Sequence, residues 1–228
     1  MQISDKKARH SPPTTIRLAI AQRGRRLHNL WCVWSYKLKQ PFVLQSDVAL
    51  FHFAVLEADP TVEFYELEAP SLVTEIKGES IGTRFDARVR FVDGAVAWDE
   101  VKYELGSDNS EASLQLQAQS QLASQHGARY RRFTVEMLQP FTNRVWNCLR
   151  MLQVLQAAQS FSVASARTCI LARLTAGPAT IGELRYLDFP DEALNLAAIF
   201  GLRLEASATI DLDSGPITDA SIVCLARQ

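Results

Sequence analysis

Two acids and one lysine near the middle of the chain have the types and spacing of a metal-assisted hydrolytic site. Asp86 is followed, after thirteen residues, by Glu100-Val101-Lys102. A strand carries successive side chains on alternate faces, so Glu100 and Lys102 point the same way. Paired carboxylates suit a hard divalent cation, Mg²⁺ or Mn²⁺, whose remaining positions go to water and phosphate oxygens. Asp86 and Glu100 are then the metal ligands. Lys102 completes the catalytic set: it orients or deprotonates the attacking water and offsets charge on a pentavalent phosphorus. A metal held there polarises the scissile phosphate and acidifies a bound water. The plain alternative is a surface salt bridge on a hairpin, which an E-x-K triplet alone does not exclude.

Asp86 joins the other two only in one parity of strand pairing. Asp93-Gly94 marks a hairpin between residues 85–92 and 95–103. A two-residue loop sets Asp86 opposite Val101, on the wrong face. A three-residue loop, Asp93-Gly94-Ala95, sets Asp86 opposite Lys102 and Arg88 opposite Glu100. The apolar pattern chooses between them. With the odd loop, Phe85, Ala87, Val89, Phe91, Ala97, Val101 and Tyr103 share a core face interrupted only by Asp99. Asp86, Arg88, Arg90, Trp98, Glu100 and Lys102 share the other. Register follows the buried face, so the odd loop or a bulge is expected.

The elements around this hairpin read as an α/β domain. Ser46 to Leu56 predicts a helix with Ser46 or Asp47 as its cap. Val62 to Leu67 predicts a strand. A Gln-rich helix is expected over 110–126, with Gly127 as its C-cap, and a strand over Tyr130 to Val135. Past Pro140 the pattern turns helical: Asn143 to Ala158, then Val163 to Leu174, Ile181 to Leu187 and Glu192 to Phe200. A ribbon around Asp213-Ser214-Gly215-Pro216 closes the chain. Short helices followed by a ribbon suggest a winged-helix-like module, with a plain helical bundle as the alternative.

Charge is unevenly spread along the 228 residues, although the net charge is only -1. Residues 1–40 carry a net +8, residues 41–125 a net -10, residues 126–160 a net +4 and residues 161–228 a net -3. A basic arm ahead of an acidic domain suits a polyanionic partner. Arg23, Arg25, Arg26, Lys37 and Lys39 are the expected phosphate contacts. Trp31, Trp34 and Tyr36 among them either stack on bases or dock the arm onto its own domain. The expected division is 1–40 as the basic arm, 41–139 as the catalytic domain and 140–228 as the C-terminal domain. The longest apolar run, Val48 to Leu56, is too short to span a bilayer, and no secretory signal is expected. The four cysteines are scattered, without ligand spacing, which favours a reducing cytoplasm.

From about Ser46 to Leu138 the sequence resembles the PD-(D/E)xK restriction-endonuclease-like superfamily. More narrowly it is similar to TnsA, the endonuclease subunit of heteromeric transposases. The likeness rests on Ser46-Asp47-Val48-Ala49-Leu50, Leu56-Glu57, Asp59-Pro60, Phe85-Asp86, Asp99-Glu100-Val101-Lys102 and Tyr130-Arg131-Arg132-Phe133-Thr134. It implies a mixed sheet flanked by helices, followed by a small helical, winged-helix-like domain. It implies 5′-end cleavage of double-stranded transposon DNA, a separate transposase subunit for the 3′ ends, and an ATPase regulator docked on the C-terminal domain. The position matching the family's helical acid is Ala49. That leaves open a non-catalytic DNA-binding adaptor on the same fold, or a stand-alone nuclease.

Overall fold

The computed structural model describes residues 29–67, 69, 71–76, 78–102, 110–187 and 191–226. Its contacts divide the chain into two units, one of Met1–His52 with Thr61–Glu136 and one of Phe53–Pro60 with Met137–Gln228. The architecture is mixed α/β.

The first unit opens with a hairpin, β1 (Trp31–Ser35) and β2 (Gln40–Leu44), paired antiparallel. The basic arm expected over 1–40 ends in this hairpin, with Trp31 opposite Leu44, Val33 opposite Phe42 and Ser35 opposite Gln40. Trp31 docks by donating Nε1–H to Asp47 at 2.8 Å, the docked alternative for the arm's aromatics. Helix α1 (Asp47–Ala58) follows, capped by Ser46, whose Oγ accepts the Ala49 N–H at 3.0 Å. Such a cap contributes about 1 kcal/mol.

Next come β3 (Val62–Leu67), a second hairpin of β4 (Leu72–Ile76) and β5 (Glu79–Thr83), then β6 (Ala87–Phe91) and β7 (Val96–Lys102). The β4–β5 hairpin was not expected. Helix α2 (Ser110–Gln125) leads to β8 (Arg129–Thr134). Gly127, at φ 66, ends α2 where a side chain would be strained, and Ala128 N–H closes back on Ala123 at 2.8 Å. The main sheet runs β3-β6-β7-β8, antiparallel except for the parallel pair β7–β8. A parallel return needs a crossover, and α2 supplies it.

This sheet has two different faces. Ala87, Val89 and Ala97, each at most 1% exposed, share one with Asp99. Trp98, Glu100, Tyr130 and Arg132 share the other, over which α2 packs: Phe85, Trp98, Leu122 and Ala123 form a single buried cluster. Phe85 meets Trp98 edge-on at 4.7 Å and Tyr130 at 6.3 Å between ring centres. Each such buried ring stabilises the fold by about 1.5–3 kcal/mol.

A short helix α3 (Val135–Leu138) and a 3₁₀ turn (Gln139–Phe141) lead into the second unit. It holds α4 (Thr142–Ala157), α5 (Ala164–Thr175), a two-residue strand β9 (Ala179–Thr180), α6 (Ile181–Arg185), α7 (Glu192–Leu204) and the ribbon β10 (Ala208–Ile210) with β11 (Ile222–Leu225). Its sheet order is β10-β11-β9, so the ribbon expected from sequence gains a third strand. Helix α7 is the core of this unit, with Ala198, Ile199, Phe200 and Leu202 fully buried. Asn147, also buried, ties down the β10–β11 connection. Its amide donates to Leu212 and Gly215 carbonyls, and its oxygen accepts from Ile217 N–H at 2.9 Å.

Candidate active site

The hairpin that carries the predicted residues turns through three residues, but they are Val92-Asp93-Gly94. Phe91 N–H bonds Ala95 oxygen and Gly94 N–H bonds Phe91 oxygen, both at 2.9 Å. Gly94 takes φ 83, and Asp93 Oδ1 accepts from Ala95 N–H. This is a three-residue hairpin loop whose last residue is left-handed, a common connection. The pairing is Ala87↔Asp99, Arg88↔Trp98 and Val89↔Ala97. The expected parity holds, but the register is shifted by two residues from the expected one. Arg88 faces Trp98, not Glu100, because the turn begins one residue earlier than the Asp93-Gly94 signal suggests.

Asp86 lies just before β6, at a bulge-like step. Its own N–H bonds the carbonyl of Asp99 at 2.9 Å, the residue that Ala87 also opposes. Its carboxylate Oδ2 accepts the Val101 N–H at 2.6 Å. A regular continuation of β6 would have met that N–H with a backbone carbonyl, so the side chain has replaced the ladder. The extra residue also explains Phe85, which packs on Trp98 instead of beside Ala87. Bulges re-aim side chains in this way.

Asp86, Glu100 and Lys102 come together here. Glu100 is fully buried. Its Oε2 accepts from Gln119 Nε2 at 2.8 Å, and its Oε1, sealed from solvent, forms an ion pair with Lys102. Burial, and then the nearby charge of Glu100, push Asp86 up from 3.8 to about 6; Val101 N–H, Lys102 and His52 oppose the rise. Two carboxylates competing for charge in a buried place are a site that a divalent cation would relieve. Among the described residues no group of three or more His, Cys, Asp or Glu forms a richer site, so these two acids, water and substrate oxygens would make the shell.

Gln119 and Tyr130 were not singled out by spacing. Gln119 is 1% exposed, and the Tyr130 hydroxyl donates to its oxygen at 2.8 Å, which turns its NH₂ toward Glu100. Burial first and the Glu100 charge second hold the Tyr130 phenol well above its ordinary range, so it remains a donor. The signal for Gln119 was its place three and four residues before Leu122 and Ala123, a polar residue inside the buried stripe of α2. Arg132 is the register partner of Glu100.

The opposite face of the same strand holds a separate network. Asp99 is buried, bonded by His52 Nε2 at 2.8 Å and by two guanidinium nitrogens of Arg131 at 2.7 Å. Burial opposes its charge, but these bonds from His52 and Arg131 outweigh it and hold its carboxyl below 3.8. His52 packs edge-on against Phe133 at 4.8 Å.

Of the expected phosphate contacts, Arg23, Arg25 and Arg26 lie outside the described residues. Lys37 donates to the Val62 carbonyl at 2.6 Å, and Lys39 sits over the Tyr36 ring at 4.3 Å. Both are engaged with their own domain. No family model matches this chain, and no curated protein matches it. No helix among the described residues is long and apolar enough to cross a membrane.

Proposed function

We propose that the chain is a divalent-metal-dependent DNA endonuclease of the restriction-endonuclease-like type, the TnsA-like 5′-end-cleaving component of a heteromeric transposase. The observation that carries this is the convergence of Asp86, Glu100 and Lys102 where β6 breaks step beside β7. The order α1, β3, β6, β7, α2, β8 around one mixed sheet supports the core fold. The order α5, β9, α6, α7, β10, β11 supports a winged-helix-like C-terminal domain.

Asp86 and Glu100 are the residues that would hold Mg²⁺ or Mn²⁺. The cation, when bound, polarises a phosphodiester and acidifies water. The chain's own groups do the rest. Val101 N–H and Gln119 each hold one carboxylate oxygen, leaving the other oxygen of each acid to work. Lys102, paired with Glu100, would offer its N–H groups to the water or to the charged phosphoryl oxygens. Double-stranded DNA is the substrate. A transposase subunit and an ATPase regulator are the partners the resemblance implies, and the cytoplasm is the compartment, in keeping with four free cysteines.

The test is a plasmid-nicking assay in Mg²⁺ and Mn²⁺, with and without a co-expressed transposase. Lys102→Ala and Asp86→Ala are expected to abolish nicking while DNA binding stays near wild type. Equal rates for wild type and both variants would reject the proposal. One observation favours a second reading, a non-catalytic DNA-binding adaptor: Ala49 stands on α1 where the family carries an acid. No Mn²⁺ binding at millimolar concentration would select it.

A further inference from the structure

Strand β8 carries Arg131 and Arg132 side by side, and the sheet separates them. Arg131 lies on the His52 face, with two nitrogens on Asp99. Arg132, one residue on, lies on the opposite face, in register with Glu100 and two residues from Tyr130. Its charge reaches this pocket, where it partly offsets the rise of the Tyr130 phenol. Yet Arg132 is half-buried, and its Nε is sealed from solvent without a hydrogen-bond partner among the described residues. Glu100, the carboxylate next to it by register, has one hydrogen bond, from Gln119, and an ion pair with Lys102. The contrast with its neighbours is sharp: Arg88 pairs with Glu66, Arg90 with Glu63, and Arg131 with Asp99.

A half-buried guanidinium with an unmet N–H carries a desolvation cost that an anion beside the group would partly offset. The chemistry around it says which anion. Two carboxylates alone repel a chain of phosphates. Two cations on their face, Lys102 and Arg132, let one approach. Guanidinium matches a phosphate with paired, charge-assisted hydrogen bonds, which an ammonium cannot do. We propose that Arg132 is a substrate-binding residue: it grips a non-bridging oxygen of the DNA backbone phosphate seated at the Asp86–Glu100 pair. This rests on the nuclease proposal above and adds a residue to it.

The experiment uses the full chain and a fluorescent DNA duplex, with Ca²⁺ in place of Mg²⁺, over a range of salt concentrations. Arg132→Gln is expected to weaken binding about tenfold and to reduce the slope of log Kd against log salt by about one, the signature of one lost phosphate contact. Arg132→Lys, which keeps the charge, is expected to keep the slope and recover part of the affinity. Arg129→Gln, an exposed arginine on the Arg131 side of β8, controls for general loss of charge and is expected to change the slope less. Thermal unfolding checks that each variant is folded, and a purely structural role would shift that transition while leaving the slope intact. An unchanged slope in Arg132→Gln, or an equal drop in Arg129→Gln, overturns the assignment while nicking by wild type still supports the nuclease. A wild-type chain that neither binds the duplex nor nicks it overturns both.

Discussion

Replacing Asp86 with Asn should stabilise the metal-free protein, and the size follows from the site. Asp86 is pushed from 3.8 in an ordinary setting to about 6 in the fold, by burial first and Glu100 second. An acid whose value rises on folding favours the folded state only while protonated. Its contribution is fully present below about pH 4 and is lost as pH rises through about 6. Roughly two units at 1.36 kcal/mol each make the ionised side chain cost about 3 kcal/mol near pH 8. Asn has the shape of the protonated acid without the charge. It still accepts the Val101 N–H, and the weakening of that bond already counts against the rise, so the net gain is about 3 kcal/mol. Urea unfolding in EDTA measures this directly: Asp86→Asn should exceed wild type near pH 8 and converge with it near pH 4. Added Mg²⁺ should close the gap, because ligand binding stabilises only the form that binds, by about 2.7 kcal/mol at a hundredfold excess over Kd. If Asp86→Asn is no more stable than wild type in EDTA near pH 8, or if the difference persists at pH 4, the carboxylates do not compete as described.

Two further outcomes concern residues that touch no substrate. Gln119→Met keeps the length and burial but removes the donor that orients Glu100, and should weaken Mn²⁺ binding by about 10- to 100-fold, as losses of such supporting bonds do. Electron paramagnetic resonance of free Mn²⁺ reads this without any turnover, and unchanged affinity would rule out the support. His52→Leu leaves Asp99 buried with Arg131 as its remaining partner, and should cost about 3 kcal/mol in urea unfolding. A loss under 1 kcal/mol would mean that Arg131 alone satisfies the acid.

Adjacent residues on β7 show how one strand serves two ends. Asp99 and Glu100 are both acids, both buried, and one bond apart along the chain. Asp99 is satisfied by His52 and Arg131, so its charge holds the sheet to α1. Glu100 has Gln119 on one oxygen and the half-exposed Lys102 ammonium on the other. A buried acid with all its partners is structure; one whose partner can leave is a place for chemistry.

The residue pattern alone determined a good deal: the helix beginning at Ser46, the strands on either side of Asp93-Gly94, the helix ending at Gly127 and the grouping of Asp86, Glu100 and Lys102 by side-chain parity. These depend on local rules, namely caps, turn residues and the period of two, which act within a few residues of sequence. The tertiary structure decided what depends on distant partners. It set the two-residue shift of register, because the turn chose Val92-Asp93-Gly94, and the bulge that puts the Asp86 carboxylate on the Val101 N–H. It folded residues 31–35, the end of the expected arm, into a hairpin. It also brought Gln119, Tyr130 and Arg132 to Glu100, because β8 returns parallel to β7 beneath α2. No spacing along the chain encodes a neighbour across a parallel pair: the crossover between them can be of almost any length, and only the packed sheet fixes which residue stands beside which.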